Sequence, residues 1–236
     1  GLVYPEFQQE KKRKEAILSV ASDMEELFAH FTEEFCERTY QMLEQCGEAI
    51  YCYMMVYGLV PVDVLYEQYR ETFDKSMEKE DFLRVVYWYC CCNDMIRSYT
   101  ADESNVRYVG MIELDPVQVV EQQARYGENL EYRSFTKKEL LPYGKTIGEI
   151  YPRWHELGIC LSELAHMETE DVEDVVSDCY FEALYCKNRE ELAGFLEDFY
   201  TPATLGEQIA LWHILTKICL DTRLPGLKGY TRREYG

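Results

Sequence analysis

The chain has 236 residues, 47% hydrophobic and 14% aromatic, with a formal net charge of −20. That apolar content excludes a disordered chain and is enough for one large domain or two small ones. Acids outnumber bases throughout, 10 against 5 in residues 1–45, 14 against 7 in 46–127 and 20 against 12 in 128–236, so the field repels phosphate backbones and anionic lipid.

In chain order, residues 7–30 carry apolar positions at helical spacing (Ile17, Leu18, Ala21, Met24, Leu27, Phe28) after the basic run Lys11-Lys12-Arg13-Lys14. The spacing predicts N-terminal helices over 1–45, the second at 32–45 with Phe35, Cys36, Tyr40 and Leu43 inward. The apolar run 49–57 then stops at Gly58, which suits the left-handed position after a helix, and Pro61 restarts the next helix. A short helix at 62–69 follows. Ser76 is the expected cap of a third helix, which opens on Glu78, Glu80 and Asp81 and buries Phe82, Leu83, Val86 and Tyr89. Two apolar/polar alternations, 95–99 and 106–109, flank the polar stretch 101–105 and predict a β-hairpin. Asp115-Pro116-Val117-Gln118 opens a closing helix.

This order, three helices, a hairpin and a helix, is that of a winged helix, with the hairpin as the wing. The expected fold is therefore mainly α: a winged-helix-like domain over 46–143, then a small helical bundle. Residues 144–168 read as a linker, because Gly144, Gly148 and Pro152 lie close together. Residues 169–236 read as the bundle and its C-terminal tail, with helices capped by Thr169, Asn188 and Thr204.

If the third helix read DNA, its bases would come from Lys79 and Arg84, with Arg97 and Arg107 on the wing. Three of the first charges on that helix, Glu78, Glu80 and Asp81, repel DNA instead. Nucleic acid is thus the second reading and a protein partner the first.

The segment 221–236 turns basic, with Arg223, Lys228, Arg232 and Arg233. Two readings stand: a solvated terminus, or a tail docked through Leu224, Leu227 and Tyr230 with Arg223 paired to an acid. The residues Thr222, Arg223, Leu227, Gly229, Tyr230, Thr231 and Glu234 resemble a segment of uncharacterised helical proteins of Gram-positive bacteria, many of which continue into a zinc-binding SEC-C tail. Tyr57-Gly58 followed by 63–66 is similar to another stretch of those proteins. Pro225-Gly226 and Arg232 depart from the pattern, where an aromatic and a proline are usual, and residues 231–236 hold no cysteine. The resemblance implies a cytoplasmic helical protein, an adaptor or binding component, and brings no catalytic residues.

Ten cysteines sit within apolar helical runs, which predicts reduced, mostly buried thiols in a cytoplasmic protein. Cys90-Cys91-Cys92 point about 100° apart on a helix and diverge rather than converge on a metal, so they are expected to be buried small residues. His155, Cys160 and His166 lie in one acidic stretch without a zinc-protease spacing, and His213, beside Trp212, reads as a packed or surface residue. No phosphate loop, dinucleotide fingerprint or nucleophile elbow occurs. The expectation is a non-enzymatic protein with no metal and no cofactor, and with no membrane partner.

Overall fold

The computed structural model describes residues 3–10, 13–20, 33–100, 106–126, 130–145, 147–186 and 188–236, with side chains from Glu34 onward except Phe35 and Arg38. It divides into two units, Gly1–Gln45 and Cys46–Gly236.

In the first unit, β1 (Val3–Glu10) pairs antiparallel with β2 (Arg13–Val20), from Val3↔Val20 to Glu10↔Arg13. The helix expected from residue 7 is therefore a hairpin as far as residue 20. Val3, Pro5 and Phe7 alternate with Tyr4, Glu6 and Gln8, a period of two that weighs more than the scattered spacings of three and four further on. Positions 21–30 lie outside the described residues, as do Lys11 and Lys12. Helix α1 (Glu33–Tyr57) begins in this unit, and Cys36 and Tyr40, expected inward, are exposed on it.

The second unit is built on the end of α1. Residues 49–57 are buried on almost every side, as a helix apolar all round must be. Gly47 lies inside α1, where a Cβ would stand 2.8 Å from the Tyr89 ring that packs on it. At Gly58 the chain turns with φ 64°, a conformation glycine adopts at little cost. Then come β3 (Leu59–Pro61), α2 (Val62–Thr72), α3 (Lys79–Cys92), β4 (Ile96–Thr100) and β5 (Arg107–Met111). The hairpin expected from the alternation is present, and β5 lies between β4 and β3 in an antiparallel sheet of order β3-β5-β4. The 101–105 stretch lies outside the described residues. Ser76 does not cap α3; it donates from its N–H and hydroxyl to Asp74 Oδ1, and Glu78 takes the N-cap position.

Beyond the sheet run α4 (Pro116–Tyr126), α5 (Lys137–Leu140), α6 (Ile147–Ile150), α7 (Pro152–Leu164), α8 (Thr169–Ala183), α9 (Arg189–Leu196), α10 (Leu205–Asp221) and α11 (Arg232–Tyr235). Asp115 Oδ1 accepts from the N–H groups of Val117 and Gln118, the cap read from sequence. Asn188 and Thr204 likewise accept from Glu191 and Glu207. Thr169 instead is the first helical residue of α8, after Glu168. The 144–168 stretch, read as a linker, holds α6 and α7 and buries Trp154, Leu157, Cys160 and Leu161. Its glycines and proline punctuate short helices: Pro152 is the first residue of α7, where a missing N–H costs nothing.

Among the described residues the chain is thus mainly helical with a small antiparallel sheet, and no described helix is long and apolar enough to cross a membrane. Tyrosine supplies much of the core. Tyr53 and Tyr57 stack 5.6 Å apart, and their hydroxyls donate to the carbonyls of Gln68 and Arg133. Tyr180 donates to Met55 O. Each ring buries apolar area while its hydroxyl is satisfied inside the protein rather than by water.

Candidate functional site

Helix α3 has two unlike faces. Phe82, Val85, Val86 and Cys90 are buried, with Phe82 packed 5.0 Å from the ring of Tyr69. Glu80, Arg84, Tyr87, Trp88 and Cys91 follow at spacings of four, three, one and three, which places them along the opposite, exposed face. Tyr87 is 66% exposed and Trp88 57%, and their rings meet edge to face at 6.4 Å. Two large aromatic rings left in water side by side are unusual for a surface with no binding role.

The cations singled out for nucleic acid do not form a basic surface here. Lys79 Nζ lies 2.9 Å from Asp63 Oδ1, and that hydrogen bond raises the lysine pKa. Arg84 reaches Asp81 at 3.0 Å and Glu80 at 3.8 Å. Arg97 folds back on the end of α3, donating from Nη1 to the carbonyls of Cys90, Asn93 and Ile96. There it satisfies helix-terminal acceptors and complements the negative end of the dipole. Arg107 is exposed at the start of β5. The structure brings Lys79 and Arg84 onto one helix, and three of the four side chains contact acids or carbonyls.

Of the three adjacent cysteines only Cys90 is buried; Cys91 and Cys92 are exposed, which corrects the expectation that all three are core residues. A helix turning about 100° per residue cannot point three successive side chains at one core. The buried thiols are hard to ionise: burial pushes Cys90 to about 11 and Cys52 to about 12, with the Glu48 carboxylate adding to the shift of Cys52 and Arg97 opposing that of Cys90. Cys160 is buried on α7, and among the described residues no group of three His, Cys, Asp or Glu side chains converges as a metal site would require.

The C-terminal segment forms a strap across the second unit. Thr222, Leu224 and Leu227 are buried, and Tyr230 is half-buried. Arg223 donates to Tyr143 Oη at 2.7 Å, Gly229 O at 2.8 Å and Glu234 Oε2 at 2.8 Å, with its guanidinium 4.9 Å from the Phe135 ring centre. Thr231 and Glu234 form a capping box that opens α11. Burial pushes the Glu234 carboxyl up, but its bonds to Thr231 N–H and Arg223 outweigh this and hold it below the usual range. Arg232 donates to the carbonyls of Cys219 and Cys186, and Arg233 pairs with Asp221 at 2.6 Å. The seat of the strap is not the bundle alone. Its 3-10 turn, Pro225–Leu227, packs on α4, and Lys228 Nζ reaches Leu130 O at 2.7 Å.

Gln123 is the polar group that sequence reasoning missed. It is buried on α4, donates from Nε2 to Leu59 O at 3.2 Å and Pro225 O at 2.9 Å, and accepts from Tyr132 Oη at 3.0 Å. One side chain thereby joins the sheet, α4 and the strap. In sequence it is one of two adjacent glutamines on an amphipathic helix, and nothing there separates it from Gln122, which is only half-buried.

Compared with known protein families, curated proteins and solved structures, the chain has no match.

Proposed function

We propose that this chain is a non-enzymatic adaptor of the cytoplasm, as the resemblance to helical Gram-positive proteins implies, and that it uses a winged-helix-like unit to hold a protein partner. The observation that carries the reading is the exposed Tyr87–Trp88 pair on α3. The element order helix, strand, helix, helix, strand, strand and the sheet order β3-β5-β4 support the winged-helix description. In such a unit the third helix is the one that enters a DNA groove. Here its outer face offers aromatics, a residue class enriched in protein interfaces, beside Glu78, Glu80 and Asp81. A partner with a basic rim around an apolar centre complements that face, and charge complementarity of this kind selects partners and speeds encounter.

The test compares wild type with Tyr87→Ala/Trp88→Ala, both checked for folding by circular dichroism. Proteins retained by wild type at low salt and lost from the double variant support the reading. Equal retention by both overturns it. So does saturable binding of duplex DNA or structured RNA that weakens steeply with salt, which would favour contacts through Arg107 and its neighbours.

A further inference from the structure

The second unit contains a recess of about 750 Å³ among α1, α6, α7 and α8, closed on one side by the sheet hairpin. Its volume lies within the range of small-molecule sites. Met55, Met111, Trp154, Val176 and Phe181 form the inner wall, and Met95 and Ile159 are exposed at the mouth, so the recess opens to solvent.

The space is kept open by a glycine. Gly158 stands in the interior of α7, where glycine weakens a helix. Its φ is not in the left-handed region, and a Cβ there would meet only Val172 and Val176, at 3.4 and 3.7 Å, ordinary contact distances. Neither backbone conformation nor close packing therefore requires glycine at this position. What its missing side chain does provide is room, since Gly158, Val172 and Val176 all line the recess.

The rim tells which ligand fits. Glu149 and Glu173 stand there with Lys145 and His155, all four exposed, in a chain of net charge −20. Any ion entering the recess leaves water for an apolar wall; an anion does so under a negative field, whereas a cation gains from the Glu173 carboxylate and from an aromatic lining of Tyr51, Trp154 and Phe181. We infer that the recess is a binding site for a small, largely apolar organic cation. Methionine walls suit such a ligand because their unbranched, polarisable side chains adapt to irregular shapes.

The test uses two ions of nearly equal size and opposite charge, tetraphenylphosphonium and tetraphenylborate, titrated calorimetrically into the full chain. The expected result is saturable one-to-one binding of the phosphonium at least about tenfold tighter than of the borate. Glu173→Gln should weaken the phosphonium about two- to fivefold, the range for one exposed ion pair. Gly158→Leu and, on the facing helix, Ser177→Leu fill the recess, and each should abolish saturable binding. Equal or tighter binding of the borate overturns the inference. So does phosphonium binding that survives in a folded recess-filling variant, which would mark adsorption to the acidic surface. Absence of saturable binding of either ion at millimolar concentration also overturns it, and the wild-type comparison holds even where a filled variant fails to fold.

Discussion

Removing the Arg223 side chain tests whether the strap is part of the fold. The side chain is 11% exposed, and its guanidinium makes hydrogen bonds to a tyrosine hydroxyl, a backbone carbonyl and a carboxylate. Hydrogen bonds to charged groups contribute roughly 1.5–3 kcal/mol each, and breaking a buried pair costs about 3–5 kcal/mol. The contributions do not add, because Glu234 keeps Arg133 at 3.3 Å and Gly229 O can gain water once the side chain is gone. Arg223→Ala should therefore cost about 3 kcal/mol, a large part of an ordinary domain's stability. Arg223→Lys keeps the charge but not the planar fork and should lose about half as much. Urea unfolding followed by circular dichroism gives both numbers. The carboxyl of Glu234 is lowered in the folded state, so its contribution is present above the ordinary carboxylate range and is lost as pH falls through its folded value. The gap between wild type and Arg223→Ala should narrow over that same interval. A loss below about 1 kcal/mol at neutral pH would refute the reasoning and leave the strap a solvated terminus.

Two further outcomes follow from burial. In native protein a thiol probe should label Cys36, Cys91 and Cys92 quickly and the other seven cysteines slowly, whereas the denatured chain should titrate all ten; fast native labelling beyond three equivalents would contradict the packing. Gly58→Ala would set a Cβ 2.5 Å from Pro225 Cγ and 2.6 Å from Leu114 Cδ1 at φ 64°, so unfolding should show a loss of roughly 2–4 kcal/mol from backbone strain and overpacking together. A neutral result would show that the strap does not press on this turn.

Where local chemistry dictated structure, the sequence was legible. Gly58, the Asp115-Pro116 start, the Asn188 and Thr204 caps and the β4–β5 hairpin each depend on a few adjacent residues, and each is present. Strand β3 was not foreseen because three residues are too few to show alternation; its pairing with β5 is decided by where α1 ends. Residues 144–168 misled because glycine and proline mark helix ends as well as linkers, and only the burial of Trp154 and Leu157 separates the two cases. Gln123 was invisible for a related reason. A buried amide is recognisable only once its acceptors, Leu59 O and Pro225 O, are in place, and these lie 64 and 102 residues away. At the candidate site, the residue types on α3 were readable, but their faces were not. Tyr87 and Trp88 stand next to the buried Val85 and Val86 in sequence, and only the packing of α3 shows that they are exposed.

The magnitude of that exposure sets what the α3 face can do. A buried Tyr or Trp side chain covers roughly 150–250 Å², and at about 25 cal/mol per Å² the exposed share of each ring offers about 2–4 kcal/mol on full burial. The pair together then offers gross about 4–8 kcal/mol, while association itself costs an estimated 4–15 kcal/mol. Even at the favourable ends of both ranges, two rings alone give at best a weak complex of about millimolar affinity. A stable complex needs the acidic flank at Glu78, Glu80 and Asp81 to be engaged as well, and Arg84 to exchange an intrahelical ion pair of little worth for a contact across the interface. This division of labour has a consequence for kinetics. Neutralising the flank should mainly slow association and flatten its salt dependence, whereas Trp88→Ala should mainly speed dissociation, because desolvated aromatics near the centre of an interface hold a complex once it has formed.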